Sequence, residues 1–125
     1  DIIGVLDWEM ATIGDPLMDL GGSLAYWVQA DDDAIFQSFR RQPTHVPGML
    51  TRREVIDYYG QRSGLQVDNF DFYEVFGLFR LMVIIQQIHH RYALGQTSNP
   101  QFAGFGHAAR YMGGRCRRII GRSTL

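Results

Sequence analysis

The sequence reads GVLDWEMATIGDPLMDL from Gly4 to Leu20. Residues 2–6 overlap the start of this stretch and form a short apolar run with β-branched residues, which is typical of a buried strand. The pair Asp15-Pro16 then has the composition of a helix start, because Asp is a good N-cap and Pro suits the first helical position. The stretch therefore predicts a strand, a loop over residues 7–14, and a helix that runs to about residue 29.

Three carboxylates surround this predicted strand–loop–helix junction. Asp7 follows the strand, where a side chain leaves the core edge, and Mg²⁺ is commonly held by one or two such carboxylates together with water and phosphate. Asp15 and Asp19 are four residues apart and share a helix face. They also lie in the first turns, where the helix dipole favours anions. The spacing therefore indicates a functional site at the junction.

The combined pattern resembles the motif of the aminoglycoside phosphotransferase family. That motif is an apolar residue followed by Asp-Trp-Glu or Asp-Trp-Asp, then Gly-Asp-Pro, then Asp-Leu-Ala or Asp-Leu-Gly. Residues 7–9, 14–16 and 19–21 stand in the matching places. The family has a protein-kinase-like fold. The resemblance implies that residues 1–125 are the C-terminal helical part of a kinase-like phosphotransferase domain, mainly α, with a short N-terminal strand followed by a helical bundle.

The resemblance also implies roles for single residues. Asp7 would hold Mg²⁺ on the nucleotide phosphates, as the Asp of the kinase Asp-Phe-Gly motif does. Asp19 would be a buried structural carboxylate that hydrogen-bonds the backbone of the catalytic loop. Asp15 would cap its helix and support the same region. Glu9 and Trp27 would lie near the metal or the substrate.

The activity that the resemblance implies is transfer of the γ-phosphoryl group of ATP or GTP to a hydroxyl of a small molecule. The family takes its base from a His-x-Asp-x-x-x-x-Asn loop, which this sequence lacks. All 12 basic residues are arginine, so a phosphate-binding lysine would lie outside the chain. We therefore expect the catalytic loop and the nucleotide lobe to come from a missing N-terminal part of the same protein, and the chain alone to be inactive.

The remainder of the chain reads as helices separated by loops. Gly21 and Gly22 each cost a helix about 1 kcal/mol relative to alanine, which predicts close packing against another backbone. The long fourth helix is apolar nearly all round in its middle, as is typical of a central buried helix. Four further helices are predicted after the first. The second begins after the acidic run 31–33 and ends near residue 39, and the third begins after 51 and ends near 64. The fourth begins near 68–69 and ends near 94, and the last begins at 99–100 and ends near 120.

Other charged groups have simpler interpretations. The acidic run 31–33 would suit a cationic acceptor such as an amine, but a loop or helix cap is its more usual role. The arginines of the last helix predict a solvated basic face. Neighbouring helical residues point about 100° apart, so His89 and His90 are predicted to be core or substrate-wall side chains rather than a zinc pair.

Charge, hydropathy and cysteine content argue against several classes of protein. A net charge of −1 gives no electrostatic case for binding nucleic acid or a membrane surface. The apolar run 81–85 is far shorter than the roughly 20 residues of a membrane span. Cys116 is the only cysteine, so no internal disulfide forms, which fits a reducing compartment. We therefore expect a cytoplasmic protein, and the family resemblance implies that its partners are a nucleotide and a small-molecule acceptor.

Two other functions remain open. A metal-dependent phosphohydrolase could use Asp7 and Glu9. The haloacid-dehalogenase type would need an Asp-x-Asp pair with a following Thr or Ser, whereas here the second acid is Glu9 and the segment continues Met10-Ala11. A non-catalytic helical binding module could keep the kinase-like shape. Fold does not choose the acceptor, which could be an aminoglycoside, a choline-like alcohol, a sugar, homoserine or a hydroxyacyl thioester.

Overall fold

A computed structural model describes residues 1–4, 6, 7, 9 and 11–124. Its described part is built from helices, which confirms the predicted mainly α class. The elements in chain order are α1 (Pro16–Leu24), α2 (Ala34–Gln37), α3 (Arg52–Ser63), α4 (Asp71–Ala93), a 3-10 helix (Pro100–Gly104) and α5 (Phe105–Arg122). Within the described ranges, none of these helices combines the length and hydropathy that crossing a membrane requires.

The predicted N-terminal strand is not confirmed. Ile2, Ile3 and Leu6 are 89%, 101% and 88% exposed instead of buried. No strand occurs in the described part of the chain, so this segment has no neighbour there to pair with. Val5 of the predicted strand, and Trp8 and Met10 of the motif, lie outside the described residues.

Local signals set most helix boundaries where the sequence predicts them. Thr51 and Glu54 form a reciprocal capping box at the start of α3. The helix stops at Gly64, whose φ of 75° is a left-handed conformation that glycine adopts without strain. α1 is shorter than predicted and ends at Leu24, while α4 begins at Asp71, slightly later than predicted.

The longest helix, α4, is the centre of the fold. It packs against α1, α5 and the 3-10 helix. Leu78 and Leu81 of α4 join Met112 and Cys116 of α5 in the main core. A second core cluster joins α1 to α3 and the start of α4, through Leu17, Leu24, Ile56 and Phe70.

Burial of α4 is less complete than its apolar composition predicts. Phe79 is 53% exposed and Ile84 is 39% exposed. The helix is central, as expected, but part of its apolar surface faces outward in the described structure. The apolar residues on all sides of α4 therefore predict more packing neighbours than the described part of the chain provides.

The crossing of α1 and α4 depends on two glycines. A Cβ on Gly77 would overlap the carbonyl oxygen of Gly21, and a Cβ on Gly21 would overlap the carbonyl of Tyr73. The backbones thus meet directly at this point, which confirms for Gly21 the close packing that the sequence predicts. This contact fixes α1 beside α4 and defines the cleft described next.

Candidate functional site

Asp15 anchors the start of α1. One of its carboxylate oxygens accepts a hydrogen bond from the Leu17 backbone N–H at 2.9 Å, so the residue is the N-cap, as predicted. The other oxygen accepts a hydrogen bond from the Tyr73 hydroxyl at 2.7 Å. This bond raises the pKa of Tyr73. Asp15 therefore ties the first turn of α1 to α4.

Asp7 and Asp19 line one cleft of about 810 Å³ between α1 and α4. The Gly21–Gly77 contact brings the two helices together, and the facing sides of these helices form walls of the cleft. Both carboxylates are exposed, and neither forms a hydrogen bond or ion pair with another described residue. The structure thus assembles two of the three predicted site carboxylates on one solvent-accessible surface.

The backbone of Asp7 has a φ of 71°, and it is the one non-glycine residue with positive φ in the described ranges. Aspartate tolerates this left-handed conformation better than most residues, since its short polar side chain can bond locally. Such conformations concentrate at functional sites, where surrounding structure maintains them. The conformation is compatible with a carboxylate that a loop presents to a ligand.

The other predicted site residues divide between the cleft and its surroundings. Trp27 lines the cleft, and its indole N–H donates to the carbonyl of Leu50 at 2.9 Å, which fixes the ring. Glu9 is exposed and is not among the described residues that line the cleft. Asp19 was predicted to be buried against a catalytic loop; in this chain it is exposed on α1.

Sequence reasoning missed several cleft residues. Arg80 is a cation on the α4 wall, one turn beyond Gly77 and one turn before Ile84. The signal that could have found it is the helical spacing of these three positions, which puts them on one face. The remaining polar lining residues are Ser23, Tyr26 and Gln42.

A different carboxylate, Asp32, is bound within an ionic network away from this cleft. Its side chain is 4% exposed. Arg52 donates to both carboxylate oxygens, at 2.6 and 2.8 Å, and Arg115 donates at 3.0 Å. The Arg115 guanidinium also lies over the ring of Phe36, 4.2 Å from its centroid. These bonds hold α5 and the start of α3 to the loop before α2.

The charge state of Asp32 follows from these contacts. Burial alone would raise the pKa of Asp32. The hydrogen bonds from Arg52 and from the Gln29 backbone N–H, with the charges of Arg52 and Arg115, outweigh it and hold that pKa below its ordinary value. Its neighbour Asp33 is the N-cap of α2 and accepts a hydrogen bond from the Tyr111 hydroxyl. The acidic run therefore serves the fold, as a loop and a helix cap.

The histidine pair does not form a chelating site. One ring nitrogen of His89 lies 3.1 Å from the carbonyl of Phe102, and the ring packs closely against Gly106. His90 is exposed. Among residues 1–4, 6, 7, 9 and 11–124, no three His, Cys, Asp or Glu side chains are grouped so as to hold a metal by themselves.

The helical bundle is consistent with the C-terminal lobe of a kinase-like fold, and its motif segment matches a known family. The model of the phosphotransferase enzyme family matches residues 1–55. This range includes the three motif segments and the carboxylates at 7, 15 and 19. The predicted family resemblance is therefore confirmed, and the match supports a kinase-like phosphotransferase class.

Curated proteins are similar over most of the chain. Acyl-CoA dehydrogenase family member 10 of Mus musculus is 36% identical over 101 residues, which cover 79% of this chain and 9% of that protein. Probable acyl-CoA dehydrogenase IBR3 of Arabidopsis thaliana is 32% identical over 103 residues, 78% of this chain and 12% of that protein. Acyl-CoA dehydrogenase family member 11 of Homo sapiens is 34% identical over 101 residues, 78% of this chain and 13% of that protein.

The chain thus corresponds to 9–13% of the length of these relatives. The similarity relates this chain to a small part of much longer proteins. No solved structure matches the chain significantly.

Proposed function

We propose that this chain is part of a kinase-like enzyme that transfers the γ-phosphoryl group of ATP or GTP to a hydroxyl of a small molecule. The observation that carries the proposal is the cleft that Asp7 and Asp19 both line, with the two residues inside the segment that matches the phosphotransferase enzyme family. Phosphoryl transfer depends on positioning and on neutralising charge, and a cleft with free carboxylates beside a helix wall suits both tasks.

The residues present fit a magnesium ion. Mg²⁺ is usually held by one or two carboxylates together with substrate phosphates and water, rather than by a complete protein cage. Asp7 is exposed in the cleft and has no hydrogen-bond or ion-pair partner among the described residues, so its oxygens are free to bind a cation. When bound there, the ion would supply neutralisation of the negative charge on the transferring phosphoryl group.

The neighbouring residues would support this arrangement. Asp19 lies on the same cleft and would accept hydrogen bonds from the backbone of the catalytic loop. Asp15 caps α1 and bonds Tyr73, so it would keep the α1 wall in place against α4. Trp27, held by its bond to Leu50, would form a rigid apolar part of the acceptor wall.

The base that removes the acceptor proton would come from residues outside this sequence. The sequence contains no His-x-Asp-x-x-x-x-Asn segment and no lysine. In the reaction, the acceptor oxygen forms a bond to the γ-phosphorus while the bond to the bridging oxygen of ADP or GDP breaks. The acceptor proton passes to that base. We propose that residues 1–125 alone bind part of the reactants without transferring the group.

The names of the relatives suggest which acceptors to test first. All three relatives described above carry acyl-CoA dehydrogenase in their names, so a hydroxyl carried on an acyl chain, such as a hydroxyacyl thioester, is the acceptor class that we propose. The apolar side chains of Leu81 and Ile84 in the cleft would suit an acyl chain. An aminoglycoside, a sugar and choline complete the panel of acceptors to be tested.

The test is Asp7→Asn in the full-length protein that carries this sequence. We expect turnover with ATP or GTP and an acceptor of the panel to fall by at least about 100-fold, because the metal loses an ionised ligand. Fold should be unchanged, since Asp7 has no bond to another described residue. The control is Asp68→Asn, an exposed carboxylate outside the cleft, which should keep full activity.

Retained turnover in Asp7→Asn would contradict the magnesium assignment. Release of phosphate from a phosphate ester without any acceptor would instead favour a phosphohydrolase. Absence of both activities in the full-length wild type would favour a binding module.

A further inference from the structure

Arg80 is the one described cation among the residues that line the cleft. It stands on the α4 wall, and its guanidinium passes beside α1: Nη1 lies 3.8 Å from the position that a Cβ would take on Gly22. The Gly21–Gly77 contact lies one helical turn earlier on the same face. Arg80 therefore lies on the cleft wall, close to the point where α1 and α4 touch.

The guanidinium has no hydrogen bond or ion pair with any residue in the described part of the chain. Arg52 and Arg115 differ from Arg80 in this respect, because both of their side chains are bonded to Asp32. Asp7 and Asp19 line the same cleft but neither lies within ion-pair distance of Arg80. An arginine that is left free in a cleft offers paired N–H donors that match a carboxylate or a phosphate.

We propose that Arg80 determines acceptor specificity by binding an anionic group of the acceptor, a carboxylate or a phosphate. This inference rests on the proposed function for the role of the cleft, and it extends that function by specifying the charge of the acceptor. Trp27 and Ile84 provide apolar surface in the same cleft. The acceptor would thus place its acidic group at Arg80 and its chain against this surface, leaving the hydroxyl free to reach the Asp7 side of the cleft.

A matched pair of probes isolates the charge. 6-Hydroxyhexanoate and 1,6-hexanediol have the same chain length and a hydroxyl, but only the first carries a carboxylate. Titration calorimetry on the full-length protein, without nucleotide, measures both affinities. Because Arg80 is exposed, we expect wild type to favour the acid by about fivefold rather than by the larger factor of a buried pair.

The variants test whether this preference belongs to Arg80. Arg80→Gln should lower the affinity for the acid by about fivefold and leave the diol unchanged, while Arg80→Lys should retain part of the preference. Arg91→Gln removes the same charge from an exposed position later in α4, outside the cleft, and should keep the full preference. Pyrophosphate is titrated in parallel as a probe for the nucleotide phosphates.

Several outcomes would overturn the inference. They are no preference for the acid in wild type, an equal loss in Arg91→Gln, or a loss of pyrophosphate affinity in Arg80→Gln with the acid preference intact, which would assign Arg80 to the nucleotide. The measurement involves no phosphoryl transfer. A protein that shows the Arg80-dependent preference but no turnover would therefore contradict the proposed function and support the anion site.

Discussion

Asp19 and Asp32 are both carboxylates near the start of the chain, yet their surroundings are opposite. The Asp32 side chain is 4% exposed and bonds two guanidinium groups and a backbone N–H. Asp19 is exposed in the cleft and bonds no described residue. A carboxylate whose hydrogen-bonding capacity is used within the fold has a structural role, whereas one that is left free in a cleft is available for a ligand.

The largest expected effect comes from removing the charge of Asp32. Asp32→Asn would leave Arg52 and Arg115, whose side chains are 16% and 15% exposed, without their anionic partner. We expect the free energy of unfolding to fall by about 3 kcal/mol, as measured by urea unfolding, because breaking a buried pair strands the remaining charge. The matched change Asp19→Asn should alter it by less than about 0.5 kcal/mol.

Equal losses in the two variants would contradict this division of roles. In that case Asp19 would contribute to the fold as much as Asp32 does, and the exposed cleft would not be a reliable sign of function.

The second effect concerns the helix crossing that places the cleft. Gly77→Ala would push a methyl group into the Gly21 carbonyl, and backbone cannot give way as a flexible side chain does. We expect a loss of about 2 kcal/mol in the free energy of unfolding, typical of overpacking. Gly121→Ala is the control, since a Cβ there meets no atom within 4 Å. It should be neutral or stabilising by up to about 1 kcal/mol.

A Gly77→Ala variant as stable as wild type would show that α1 and α4 do not touch at this point. The cleft walls would then lack the contact that sets their spacing.

Features encoded within a few residues were predictable from the sequence. The N-cap Asp15, the capping box of Thr51 and Glu54, and the close approach at Gly21 each depend on a short local pattern or on one residue type. The family motif likewise marks Asp7 and Asp19 as candidate site residues, and both line one cleft, while their roles stay predictions. Local chemistry is enough for such features because the partners are near in the chain.

Features that depend on distant partners were not predictable. Arg52 and Arg115 lie 20 and 83 residues from Asp32, and nothing in the sequence marks them as its partners. The sequence predicts a solvated basic face for the arginines of the last helix, which is wrong for Arg115, since its side chain is 15% exposed. The strand at residues 2–6 is not confirmed for a related reason: strand formation requires a pairing partner, and an apolar pattern does not supply one.

The smallest expected effect is the pH dependence of the stability that the Asp32 carboxylate contributes. The pKa of Asp32 is lowered in the folded chain below its ordinary value of 3.8. A carboxyl with a lowered folded pKa contributes stability that is fully present above the unfolded pKa and is lost as pH falls through the folded pKa. The free-energy difference between wild type and Asp32→Asn should therefore be constant above about pH 5 and decrease below about pH 4.

Urea unfolding of both proteins between pH 2 and 7 measures this difference. Comparing the two at each pH removes the contribution of other acids, such as Asp33, whose pKa is also lowered, chiefly by the hydrogen bond from Tyr111. A difference that stayed constant or grew as the pH fell would mean that the Asp32 carboxylate is not stabilised in its ionised form. The contrast with the free carboxylates of the cleft would then rest on burial alone.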